Sequence, residues 1–76
     1  MQYANIQIDG EAVRVALPCS AYDLLMVADV DTEKHYIQRV INGKPSTAYR
    51  YLRFEALSVR DGDQFVTVYI GAATNG

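Results

Sequence analysis

Hydrophobic and polar residues alternate at the start of the chain. Ala4, Ile6 and Ile8 are separated by Asn5 and Gln7, and Val13, Val15 and Leu17 resume the alternation beyond Asp9-Gly10. A period of two lines up one face of a strand, and Asp-Gly is a two-residue turn whose members tolerate positive φ. Residues 2–17 therefore read as a β-hairpin, which Pro18 ends. The period then changes. Ala21, Leu24, Leu25 and Ala28 recur at helical spacing behind Ser20, an N-cap residue with Asp23 three positions on. This predicts a helix over about 21–29, with Tyr22 and Met26 at the margin of the apolar stripe.

Alternation returns over His35–Ile41, and Asn42-Gly43 behind it is the strongest hairpin signal in the chain. Tyr36, Gln38 and Val40 share one face of this strand, and His35, Ile37, Arg39 and Ile41 the other. Both faces carry apolar residues, so periodicity alone leaves the buried side open. Over residues 44–57, Pro45 confines any strand to an edge. Tyr49, Tyr51, Phe54 and Leu57 fit a short helical turn as well as a strand. Asp61-Gly62-Asp63 reads as a tight turn feeding a last strand, Gln64–Ile70. Val66, Val68 and Ile70 share one face of it, and Phe65, Thr67 and Tyr69 the other. The small residues Gly71-Ala-Ala-Thr-Asn-Gly76 offer almost no apolar area to bury. The expected organisation is a domain over 1–70 and a flexible tail over 71–76.

Seventy-six residues suffice for one small core, and half of them are hydrophobic. A net charge of −2 and a pI near 5.1 give no basic footprint, which argues against nucleic acid as a partner. No apolar run is long enough to span a membrane, and the start lacks a signal-peptide pattern. A monomer in the reducing cytoplasm is the expectation. Cys19 is the only cysteine, so no internal disulfide forms. Its position beside a helix start suits a small buried hydrophobe better than a nucleophile. The only histidine, His35, is not placed with it by anything in the sequence. A metal site lacks a second imidazole, and Asp29/Asp31 and Asp61/Asp63 read as loop and turn residues. The chain does not carry the equipment of an enzyme.

The order hairpin, helix, strand with hairpin turn, link and strand places a helix across a sheet, with the last strand central and parallel to the first. That is the α+β arrangement of the β-grasp fold, a mixed sheet of four to five strands with one helix. The chain resembles the ubiquitin-like superfamily along nearly its whole length. Gln38-Arg-Val-Ile-Asn-Gly-Lys44 is similar to the third strand and following turn of ubiquitin. Leu57-Ser-Val-Arg-Asp-Gly-Asp-Gln-Phe-Val-Thr-Val68 is similar to the closing segment of ubiquitin-like modifiers and sulfur carriers. Within it, the run Arg60–Val68 most resembles bacterial ubiquitin-like proteins of conjugation operons, some of which serve antiphage defence.

The resemblance implies a protein modifier. Its C-terminal Gly76 would be adenylated by an activating enzyme with ATP, carried as a thioester, and joined to a target through an isopeptide bond. Ala73, Thr74, Asn75 and Gly76 then form the conjugation segment. The implied partners are an activating enzyme, a conjugating enzyme, an isopeptidase and target proteins, and the chain itself needs no cofactor. Asn75 stands where ubiquitin and the sulfur carriers have glycine, a departure from the pattern that leaves room for a dedicated activating enzyme. Lys34 and Lys44 are the only lysines, and Lys44, beside a hairpin turn, is the better acceptor for a polymer. The alternatives are a sulfur carrier using a C-terminal thiocarboxylate, and a β-grasp binding module that never reacts at Gly76. With Val40, Val66 and Val68 turned to the helix, Ile41 and Tyr69 would lie on the open face beside Arg39 and Thr67. By resemblance to ubiquitin, that is where partners would dock.

Overall fold

The computed structural model describes residues 1–73. Strands β1 (Gln2–Ile8) and β2 (Glu11–Leu17) form the expected hairpin. Its turn residues Asp9 and Gly10 have φ of 53° and 82°, the paired positive values a two-residue turn demands. After the short β3 (Cys19–Ser20) comes α1 (Ala21–Val27). Ser20 and Asp23 close a reciprocal cap. The Asp23 N–H donates to Ser20 Oγ at 3.1 Å, and the Ser20 N–H donates to Asp23 Oδ2 at 2.9 Å. The helix stops two residues before the predicted end, because Ala28 is its C-cap and Asp29 turns left-handed at φ 60°.

Strand β4 (His35–Ile41) turns at Asn42-Gly43 into β5 (Lys44–Tyr49), an edge strand as Pro45 requires. No helical turn forms around Tyr49, Tyr51, Phe54 and Leu57. Tyr49 ends β5, Tyr51 and Phe54 lie exposed in the loop, and Leu57 belongs to β6 (Ala56–Leu57), which pairs with β3. The sequence pattern does not reveal this second, two-stranded sheet, because neither strand exceeds two residues.

The last strand, β7 (Gln64–Tyr69), lies centrally in a five-stranded mixed sheet of order β2-β1-β7-β4-β5. It is parallel to β1 and antiparallel to β4. Parallel pairing with β1 covers only Gln7↔Gln64 and Ile8↔Phe65. Beyond that point the Asp9 carboxylate takes over from the main chain, accepting from Thr67 N–H at 2.9 Å and Thr67 Oγ1 at 2.7 Å. Ile70 starts a one-turn helix, α2 (Ile70–Ala73), instead of ending the strand.

The core lies between α1 and one sheet face. Ala21, Leu24 and Leu25 of the helix meet Ala4, Ile6, Ile8, Val15, Ile37 and Phe65 of the sheet, with Val59 closing one side. Register carries this face across the sheet: Ile8 stands beside Phe65, Phe65 beside Arg39, and Thr67 beside Ile37. The expected face assignment is therefore reversed. Arg39, Ile41, Thr67 and Tyr69 lie on the helix side, and Val40, Val66 and Val68 on the bare side. The physical reason is that Ile37 and Phe65, 0% and 1% exposed, must join the face that the unambiguous alternation of β1 has already committed to the core.

Candidate functional site

The four residues expected to form a docking surface turn out to have separate tasks. Arg39 sits where the short helix no longer covers the sheet, with its guanidinium 4.7 Å from the Phe65 ring centroid. It donates to Asp63 Oδ2 and to the Ser58 carbonyl, each at 2.8 Å, and from Nε to Tyr49 Oη at 3.1 Å. Burial opposes the charge, but the hydrogen bonds to Tyr49 and Asp63 outweigh it and hold the guanidinium above its ordinary pKa. The Asp63 carboxylate also accepts from the Arg60 N–H at 2.9 Å. Arg39 thus ties the 58–63 loop to the sheet end and is a structural residue. Thr67 is bound to Asp9, as described above.

Ile41 and Tyr69 remain half exposed although they lie on the helix side, because a seven-residue helix is too short to reach either end of the sheet. The Tyr69 ring packs against His35, centroids 5.4 Å apart. His35 Nδ1 donates to the Asp31 carbonyl at 2.8 Å, and the Ile70 N–H donates to the Lys34 carbonyl at 2.8 Å. Gly71 lies so close to Tyr69 that a Cβ there would stand 2.5 Å from Cε2. The start of the segment read as a free tail is thus a helical turn laid beside Tyr69. Of the conjugation segment, Ala73 ends α2, and Thr74, Asn75 and Gly76 lie outside the described residues.

The bare face carries what sequence reasoning placed inside. Tyr36, Val40, Val66 and Val68 are half-buried among neighbours on this face and stand outside the core cluster. Arg14 lies over Tyr3 at 4.2 Å and Arg50 over Tyr36 at 5.0 Å. Strand register puts Asn5, Gln7, Ala12, Ala16, Gln38 and Ala48 on the same face, so no carboxylate-bearing strand residue shares it. An apolar centre between two stacked arginines results. The signal that could have found it is the β1–β7 register, which fixes the parity of the last strand and which no local pattern encodes.

Lys34 and Lys44 are both exposed, Lys44 at the first position of β5. Cys19 is buried, 3% exposed, and burial, followed by the nearby Asp23 charge, raises its thiol pKa. Such a thiol is a poor nucleophile at neutral pH. Among the described residues no group of three His, Cys, Asp or Glu side chains could hold a metal, and no helix is long and apolar enough to cross a membrane. Comparison with known proteins finds no matching family model, no matching curated protein and no matching solved structure.

Proposed function

We propose that the chain is a β-grasp protein of the ubiquitin-like kind, a modifier that acts as acyl donor for partner enzymes in the cytoplasm. The observation that supports this reading most is the connectivity: β7 is central, parallel to β1, and is the last strand before the C-terminal residues. One sheet face is bare, and its apolar centre between Arg14 and Arg50 suits docking.

In this reading an activating enzyme adenylates the Gly76 carboxylate with ATP, releasing pyrophosphate. A cysteine thiolate of that enzyme then displaces AMP to form a thioester, and a target amine displaces the thiolate to form the isopeptide bond. Partners dock on Val40, Val66 and Val68 and not on Ile41 and Tyr69. The test combines the full chain, ATP and a candidate activating enzyme, after mass spectrometry of the native protein has checked that Gly76 ends it. A thioester band that reductant removes is expected, lost on deletion of Gly76. Retention of the band without Gly76 refutes the reading, and a thiocarboxylate on the native protein would assign a sulfur carrier instead. Val66→Ser with Val68→Ser should weaken partner binding by about 1–3 kcal/mol per anchor, while Ile41→Ser leaves it unchanged.

A further inference from the structure

We propose that the outer edge of β5 and the loop after it bind an extended peptide with an apolar centre and acidic flanks, by strand addition. This surface adjoins the bare sheet face and shares Arg50 with it, and the proposal stands whether or not Gly76 reacts.

Strand β5 closes the sheet on one side, so only its inner edge is paired, with β4. Folded proteins blunt such edges with lysine, proline and bulges. The first half of β5 is blunted in this way, by Lys44, Pro45 and a register shift opposite Gln38 and Val40. The second half is not. Beyond Thr47 the chain runs Ala48-Tyr-Arg-Tyr-Leu52, and residues 47–52 line a mainly apolar hollow. Tyr51, Leu52 and Phe54 are 86%, 67% and 76% exposed, the highest values among the large hydrophobics apart from Met1. The Ser46 carbonyl accepts from Gln38 Nε2 and the Thr47 N–H donates to Ser46 Oγ, so the outer backbone from Ala48 on is what a partner strand would use, with the hollow as a pocket for its side chains.

Charge decides which strand fits. Residues 34–54 contain no Asp or Glu but hold five of the seven Lys and Arg residues of a chain whose net charge is −2. Two of these are committed, Arg39 to Asp63 and Arg53 Nη2 to the Thr32 carbonyl. Arg50 is held over Tyr36 at 5.0 Å and near Tyr51 at 6.0 Å, and neither it nor Lys44 has a carboxylate partner among the described residues. Lys44 opens β5 and Arg50 follows its last residue, six positions on, with Lys44 beside Ile41 and Arg50 over Tyr36. A partner strand with carboxylates at both ends and apolar residues between matches that spacing. A second copy does not, because antiparallel β5–β5 pairing would bring Lys44 of one chain against Arg50 of the other. The three remaining cations of this segment, Lys34 among them, are also too few to track a phosphate backbone on an acidic chain.

The test is an amide NMR titration of the full chain with a capped peptide of alternating Thr and Val flanked by Glu pairs. Shifts and slowed exchange are expected at Ser46–Leu52, with affinity falling as salt rises. Lys flanks in place of Glu should weaken binding at least about tenfold. Arg50→Glu should weaken it by a similar factor and Leu52→Ser about fivefold, each variant keeping the parent spectrum elsewhere. The proposal is overturned if both peptides bind alike, or if neither shifts an amide at about 1 mM. It is equally overturned if shifts centre on Val66 and Val68, if oligouridine perturbs the β5 amides more strongly, or if sedimentation shows dimers lost in Leu52→Ser.

Discussion

Replacing Arg39 by alanine separates a structural arginine from a docking one. Alanine removes charge-assisted hydrogen bonds to Asp63 and the Ser58 carbonyl, a hydrogen bond to Tyr49, and a guanidinium 4.7 Å from the Phe65 centroid. Hydrogen bonds to charged groups contribute about 1.5–3 kcal/mol each when their partners stay dry. These partners do not stay fully dry. The Arg39 and Asp63 side chains are 16% and 25% exposed, and Ser58 is exposed, so water recovers part of each loss. Asp63 also keeps the Arg60 N–H. The ring contact adds about 0.5–1 kcal/mol. A net loss of about 2–3 kcal/mol follows, against a total of roughly 4–11 kcal/mol for a domain of this length.

Urea unfolding followed by circular dichroism measures this directly, with the slope m unchanged if the native state stays compact. The midpoint temperature should fall by about 10–20 °C. Arg39→Lys, which keeps the charge and loses the planar fork, should fall between the wild type and alanine. A cycle with Asp63→Ala should show coupling of about 1–2 kcal/mol. Hydrogen exchange should accelerate at Arg60, Gly62 and Asp63, whose loop Arg39 ties down. A stability loss below about 0.5 kcal/mol would refute the clamp and return Arg39 to the docking role expected from its position in the strand.

Three further outcomes follow from the geometry. Because burial and then Asp23 raise the Cys19 thiol pKa, the native state holds that proton more tightly than the unfolded chain. Stability should be level below the ordinary thiol pKa, about 8.5, and decline as pH rises beyond it, a decline that Cys19→Ala removes in urea titrations. Ser20→Ala removes the arm made by the hydroxyl, leaves the main-chain N–H of residue 20 on Asp23, and should cost about 1 kcal/mol by the same assay, with faster exchange at Asp23. Gly71→Ala should move the Tyr69 and His35 resonances while changing stability by less than about 0.5 kcal/mol, since the added Cβ meets the far end of an exposed ring.

How much was legible in the sequence depended on how much each segment says by itself. Both hairpins were readable because Asp9-Gly10 and Asn42-Gly43 are turns with one preferred geometry, and β1 because only one of its faces is apolar. Pro45 correctly confined β5 to an edge. The faces of β4 and β7 were not readable, since each strand carries hydrophobes on both sides and the deciding contact is Ile8 beside Phe65, across 57 residues of chain. Asp9 hid in the same way. It reads as a turn residue, and its second task, accepting two hydrogen bonds from Thr67, exists only once β7 lies beside it. Arg39 misled because a long side chain on an apolar face can lie flat over an aromatic ring and keep its head at the rim, which a binary pattern scores as exposed.

The helical turn over Ile70–Ala73 is compatible with the proposed acyl-donor role, in which the residues after β7 would enter an enzyme, because the turn is so short. Four residues lie far below the length at which a helix holds itself in water, so α2 persists through tertiary contacts. They include the Ile70 N–H on the Lys34 carbonyl and the approach of Gly71 to the Tyr69 ring. Releasing the Ile70 hydrogen bond costs about 1 kcal/mol, and the contacts of Gly71 add to it. A partner that gains more than this sum from the extended form draws it out. In that light the exposed Tyr69 has a task other than anchoring partners on the sheet. Its ring packs between His35 and Gly71 and holds the Ile70–Ala73 turn beside the sheet.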